Sequence, residues 1–284
     1  MDEIAPGIFV ETRYRGANIG AIATDRGFVC VDTPPYPADA REWRAQLLQR
    51  PPGRIRYVVN LDHHRDRVLG NMWLQAPVIA HDVTGEKLRG YGHVFPQLIV
   101  DALSARDPSA AAELTKVRIV APQITIAERL TLFDGKRTVA IMHMPGPTPG
   151  ALWVHCPEAQ VLFTGDSVVL GTHPWLAEAD TKAWLDNLAA LRRNRLHVRV
   201  LVPGRGPVGD KGSAEAIANY LRLVRGRVRG LLQSRRPRTD TSTLVSELLR
   251  RYPISNESRE RVQRRIRAGL DHVYDELKTT DDDG

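Results

Sequence analysis

Asn60-Leu61-Asp62-His63-His64-Arg65-Asp66-Arg67-Val68-Leu69-Gly70-Asn71 is the stretch on which the reading of this chain turns. It follows Tyr57-Val58-Val59, an apolar run with the length and β-branching of a buried strand. Loops directly after strands are where sheet proteins commonly keep their chemistry. Two adjacent histidines flanked by aspartates offer imidazole and carboxylate donors, the groups that hold transition metals. A His-His pair is also found in ordinary polar loops, so its meaning depends on what stands elsewhere.

Three further polar loops also stand at or near strand ends. They are His143-Met144-Pro145-Gly146-Pro147-Thr148-Pro149-Gly150, Thr164-Gly165-Asp166-Ser167, and Val202-Pro203-Gly204-Arg205-Gly206-Pro207-Val208. Between them the chain alternates strand and helix patterns. Ile8–Val10, Ile19–Ala23 and Phe28–Asp32 read as strands, with Asp25-Arg26-Gly27 as a hairpin turn. Pro37 opens an amphipathic helix that Pro51-Pro52-Gly53 closes. Residues 81–120 read as a helical excursion, with Thr84 as a cap and helical spacing over 98–117. Strands return over 124–142, with Asp134-Gly135 as a turn, Ala151–His155 and Val161–Thr164 follow, and Val198–Val202 is another. Helices are expected over 181–192, 213–233, 241–251 and 257–277. This pattern predicts a layered α/β protein.

The four loops together resemble the metallo-β-lactamase superfamily, in order and spacing, from about Ile8 to Pro207. The Thr-Gly-Asp, Pro-x-Pro-Gly and Pro-Gly-x-Gly-Pro frames are weak singly and strong in combination. The resemblance implies an αββα sandwich: a metallo-β-lactamase-like domain over residues 1–212, with a C-terminal helical extension over 213–284 packed on it. It also implies one or two zinc, iron or manganese ions that activate a water for hydrolysis.

Carried over position by position, the implied ligands are mostly replaced. The first loop of the family reads His-x-His-x-Asp-His. Here Asp62 takes the first histidine's place, His64 and Asp66 are retained, and Arg67 takes the last. Pro147 and Arg205 stand where the later loops should supply histidines, and Asp166 keeps the bridging place. Proline has no side-chain donor, and arginine has no lone pair to offer. The resemblance assigns one metal to Asp62, His64 and the Pro147 position, the other to Asp66 and the Arg67 and Arg205 positions, with Asp166 between them. The second site loses two of its private ligands to fixed cations. The expectation is that Arg67 and Arg205 stand in for that metal by ion pairs with Asp66 and Asp166.

The favoured reading is a metal-free, non-catalytic or catalytically altered protein. In it Arg67 and Arg205 bind an anionic small molecule, and His64 and Asp66 are the candidate catalytic residues. A mononuclear hydrolase with one zinc, iron or manganese ion on Asp62, His64 and Asp166 is the alternative, with His143 as a substitute ligand. His64 acting as a metal-independent general base is a further one. His63 is expected to point away. Asp32, at a strand end, either orients the first loop or is a plain strand-end residue.

The chain has 284 residues, 42 % hydrophobic and 26 % charged, and its net charge is +7. Only six of the 40 basic residues are lysine, and fourteen arginines fall between Arg222 and Arg267. A polyanion-binding face is one reading of that run, recognisable by steep salt dependence. Interspersed Glu247, Glu257 and Glu260 favour a solvated helical face instead, so nucleic acid is not an expected partner. No apolar run approaches the roughly 18–20 residues of a membrane span. The start lacks a basic and apolar leader pattern, so a cytoplasmic location is expected. Cys30 and Cys156 lie outside any CxxC pair. A disulfide between them stays open, as does homo-oligomerisation.

Overall fold

The structure, a computed structural model, describes residues 1–193 and 196–282. Twelve strands form two sheets. The first sheet runs in chain order: β1 (Asp2–Ala5), β2 (Ile8–Glu11), β3 (Ile19–Thr24), β4 (Gly27–Val31), β5 (Ile55–Val59), β6 (Val78–His81) and β7 (Ile124–Ile126). The second has β8 (Arg129–Asp134), β9 (Arg137–His143), β10 (Leu152–Cys156), β11 (Val161–Val169) and β12 (Val200–Arg205), with β12 at one edge and β8 at the other.

Strands joined by short turns pair antiparallel, as in β3–β4 and β8–β9. The turns lie at Asp25-Arg26-Gly27 and Asp134-Gly135, where Gly27 and Gly135 adopt φ of 140° and 63°. Where helices or long loops intervene, pairing is parallel, as in β4–β5, β5–β6 and β11–β12.

The helices are α1 (Pro37–Leu48), α2 (Arg65–Val68), α3 (Asn71–Leu74), α4 (Asp82–Gly90), α5 (Gln97–Ser104), α6 (Ala111–Leu114), α7 (Thr181–Arg192), α8 (Ala214–Gln233), α9 (Val245–Leu249) and α10 (Asn256–Asp282). Three apolar layers separate four layers of structure. Trp43 and Leu47 of α1 pack with Phe28 and Val58 on the outer face of the first sheet. Val10, Val31 and Val59 meet Val139, Val154 and Phe163 between the sheets. Trp153 and Leu162 meet Trp184, Leu221, Leu248 and Leu270 on the far side. This is an αββα sandwich with extra C-terminal helices. Helices α8, α9 and α10 share that last core with the second sheet.

Several expectations shift. Strand β6 is four residues long and has no counterpart among the elements expected from the sequence, and β1 is a short, partly exposed edge strand. Helix α4 is capped by His81, whose Nδ1 accepts from the Val83 N–H at 3.2 Å, and not by Thr84. Cys30 and Cys156 are free, buried thiols that belong to different core layers, so no disulfide links them. No helix among the described residues is long and apolar enough to cross a membrane.

Candidate functional site

The loop after β5 turns into α2, and this turn carries Arg67 into the interior. Asn60 Nδ2 donates to the Arg67 carbonyl at 2.9 Å, and Thr33 Oγ1 donates to the same oxygen at 2.8 Å. Arg67 is fully buried. Its Nη2 donates to Asp166 Oδ1 at 2.5 Å, its Nη1 pairs with Asp32 Oδ2, and its Nε lies 3.0 Å from Asp62 Oδ2. The Nε contact is an ion pair without an aligned hydrogen bond. One guanidinium thus stands among three carboxylates, and their field holds its pKa well above the ordinary value against burial.

Gly204 makes room for this cluster. A Cβ there would collide with Asp166 Oδ1 and lie 2.7 Å from Arg67 Nη2. Asp32 holds the loop from below: its Oδ1 accepts from the Leu61 N–H at 2.8 Å. It does so from a left-handed backbone, φ 58°, which an aspartate adopts at a cost. Burial pushes its carboxyl up to about 7, against the pull of Arg67. Of its two readings, the orienting one describes what it touches.

Arg205, half-buried, reaches the same carboxylates from β12. Its Nη2 pairs with Asp66 Oδ2 and lies 3.4 Å from Asp166 Oδ2, while Nη1 donates to the Gly16 carbonyl at 3.0 Å. Burial would raise the Asp66 pKa, but Arg205 and Arg67 hold it far below the usual carboxylate range. Both guanidiniums therefore turn inward onto the aspartates.

His64 lies between two carboxylates. Its Nδ1 is 3.1 Å from Asp62 Oδ1 and its Nε2 is 3.3 Å from Glu178 Oε1. Burial alone would lower its pKa, but Asp62 and Glu178 raise it to about 10. At neutral pH it is an imidazolium, which is the wrong form for the general base considered above.

His63 does not point away. It stacks on His64 with ring centroids 4.7 Å apart, and its Nε2 lies 3.4 Å from Glu178 Oε1 and 3.1 Å from Lys87 Nζ. Lys87 also pairs with Glu178 Oε2. Sequence reasoning missed Glu178 and Lys87. Glu178 comes from a loop remote in sequence, and the only signal for Lys87 is that lysine is scarce in this chain.

The metal positions implied by the resemblance do not fit a metal pair. Pro147 has no donor, and guanidiniums cover Asp66 and Asp166. The set expected to hold a single ion, Asp62, His64 and Asp166, is not brought together either, because Arg67 lies between Asp62 and Asp166. His143 is no substitute: its Nε2 lies 2.8 Å from the Pro149 carbonyl and its ring stacks on His81 at 3.9 Å. Among the described residues, one group of three ligating side chains has donor atoms all within 4.8 Å of one another, namely His63, His64 and Glu178. Its donor chemistry suits an ion, but the Lys87 ammonium already sits against it.

Above these residues is a cavity of about 700 Å³. Arg15, Arg65, Arg106, Arg205, Arg261 and Arg265 line it, with His63, His64, Asp66 and Asp166 on its floor. Arg67 does not reach it, which corrects the expectation that Arg67 touches a ligand; its donors are spent in the interior. Arg15 pairs with Asp107 at 2.5 Å. Among the described residues, Arg65, Arg106, Arg261 and Arg265 form no ion pair with a carboxylate, and Arg265 lies over the Trp175 ring at 5.2 Å. Burial and neighbouring cations lower the pKa of three of them: Arg106 acts on Arg65 and Arg261, and Arg205 acts on Arg265. Elsewhere in the C-terminal region the pattern differs. Arg222, Arg227, Arg236, Arg238 and Arg264 each pair with a carboxylate.

Fold and loop order define a class of αββα hydrolase-like proteins. The family model of the metallo-beta-lactamase superfamily matches residues 12–205, and the chain belongs to that superfamily. It is similar to acyl-coenzyme A thioesterase MBLAC2 of Homo sapiens, 27 % identical over 135 residues, covering 46 % of this chain and 47 % of that one. The chain thus matches less than half the length of that relative. Among solved structures it resembles a metallo-beta-lactamase family protein from Thermus thermophilus, with TM-score 0.65, 16 % identity, and 96 % of this chain and 95 % of that one covered. It also resembles the inverting sec-alkylsulfatase Pisa1 from Pseudomonas sp., with TM-score 0.65 and 18 % identity over 96 % of this chain and 49 % of that one. At these identities the two structures speak for the fold alone.

Proposed function

We propose that this chain is a metal-independent member of its superfamily that binds a small anion in the arginine-lined cavity. The observation that carries the proposal is the group Arg65, Arg106, Arg261 and Arg265, which lines one cavity and, among the described residues, forms no ion pair with a carboxylate. Like charges crowded into a partly desolvated space repel one another, and an anion relieves that repulsion. Guanidinium forks match phosphate, sulfate and carboxylate oxygens bidentately. Beneath them Arg67 and Arg205 supply the positive charge that metal ions would supply in the family arrangement. The floor therefore stays neutralised without an ion.

The test is titration calorimetry with inorganic phosphate and pyrophosphate in the presence of a chelator. The expected result is one site per chain, weakened by added salt and at least tenfold weaker in Arg261→Gln/Arg265→Gln. No binding to the chelator-treated protein, with binding restored by zinc, would overturn the proposal.

A second reading rests on the convergence of His63, His64 and Glu178. These residues would hold one ion if Lys87 moved aside, and such an ion lowers the pKa of a bound water for hydrolysis. Thioester hydrolysis, named for the human relative, would then be the activity to assay. Glu178→Gln should abolish it, whereas the anion-binding reading leaves phosphate affinity in that variant within a few-fold of wild type.

A further inference from the structure

Four residues of the excursion between the sheets line one wall of the cavity: Tyr91, Phe95, Ile99 and Leu103. Ile99 and Leu103 stand one turn apart on α5, so both side chains project from the same face of that helix. Phe95 and Leu103 are anchored in a small core of their own with Val68, Leu69, Leu88 and Leu114. Tyr91 and Ile99 are less enclosed and are free to meet a ligand. The cationic lining is carried by Arg65 on α2, by Arg106 just past the end of α5, and by Arg261 and Arg265 on α10. The cavity thus offers both guanidiniums and an apolar strip to one ligand. Its volume of about 700 Å³ lies in the range that holds a drug-sized ligand, and a lone phosphate or sulfate leaves most of it empty.

We infer that the ligand is an amphipathic anion: a phosphate-, sulfate- or carboxylate-bearing head held by the arginines, with an unbranched hydrocarbon chain against Tyr91, Phe95, Ile99 and Leu103. This rests on the anion-binding reading and adds the chain to it. The rim supports the same occupant. Val94 and Leu98, on the same segment, are 51 % and 80 % exposed, so this segment carries further apolar surface that faces solvent. An apolar wall left facing water is stabilised by whatever chain covers it.

The experiment is a calorimetric series on the whole protein with chelator present: inorganic phosphate, then n-butyl, n-hexyl and n-octyl phosphate below their aggregation concentrations, with n-octanol as the uncharged control. The expected result is one site per chain and affinity rising by up to about fourfold per methylene. Tyr91→Ser/Ile99→Gln should flatten that rise while leaving inorganic phosphate affinity within twofold, which also reports that the variant is folded. Phosphate binding that does not strengthen with chain length would overturn the amphipathic ligand and leave the anion site standing. The same rise in wild type and variant would place the chain elsewhere and overturn it too. If neither phosphate nor its alkyl esters bind, both readings fail together.

Discussion

Arg67→Met removes one cation from among three buried carboxylates while keeping a side chain of similar length. Asp32, Asp62 and Asp166 are 0 %, 1 % and 8 % exposed, so none can recover the lost interaction from water. Removing one partner of a buried ion pair costs about 3–5 kcal/mol, because the remaining charge is left uncompensated. A chain of this size loses roughly 2–4 °C of melting temperature per kcal/mol, which gives a fall on the order of 10 °C. Since the group is buried, salt should change the difference little.

Acid should narrow the gap. Asp32 already titrates near 7 with Arg67 beside it, and without that cation its folded pKa rises further above the unfolded value. A folded state that binds more protons than the unfolded one gains stability as pH falls, and below about pH 7 both folded proteins hold the Asp32 proton, so the variant should approach wild type as pH falls towards 7 from above, with little further change from that group at lower pH. Urea denaturation at several pH values measures both effects. A loss under about 1 kcal/mol at pH 7.5 would refute the reasoning, because it would mean that the carboxylates do not depend on Arg67.

Three further outcomes follow from the same geometry. Among the described residues His173 has a hydrogen-bond partner only at Nδ1, 3.1 Å from Tyr220 Oη, and burial lowers its pKa from 6.5 to about 4. The unfolded chain therefore binds the proton first, and as pH falls from 6.5 to 4 the protein should lose about 3 kcal/mol of stability that His173→Phe does not lose. Lys87→Met removes the ammonium beside His63, His64 and Glu178, so zinc affinity by competition with a chromogenic chelator should tighten at least tenfold; an unchanged affinity would deny that Lys87 guards those donors. Arg67→His/Arg205→His restores two imidazoles beside Asp66 and Asp166. That variant should be destabilised in chelator and regain about 2.7 kcal/mol with zinc at a hundred times its dissociation constant, where wild type gains little.

Much of the fold was legible because apolar runs and turn signals mark the strands one by one. Phe28–Val31, Leu130–Phe133 and Val161–Thr164 lie on strands, with Asp32 one residue past the end of β4, and Asp25-Arg26-Gly27 and Asp134-Gly135 turn where their chemistry requires. Short β6 was not legible, since the three apolar residues Val78-Ile79-Ala80 fit a loop margin as well as a strand. Within the site, the inward turn of Arg67 and Arg205 follows from charge: buried aspartates without a metal need a cation. What sequence could not give was depth and partnership over long separations. Nothing in Asp62-His63-His64 indicates that Glu178 and Lys87 come to meet the two imidazoles, or that Arg67 sits below the cavity floor while Arg261 and Arg265 face into it. Those placements are set by how α10 and the 175–178 loop pack over the sheet ends, and they depend on the tertiary fold.

The central claim is that guanidiniums occupy the charge positions of the metals. Elemental analysis of the purified, untagged protein, expressed with zinc, iron and manganese supplied, tests it most directly. The account predicts well under a tenth of an equivalent of any of these metals per chain. About one tightly held ion per chain would contradict it. Loss of that ion in Glu178→Gln would then place it on His63, His64 and Glu178.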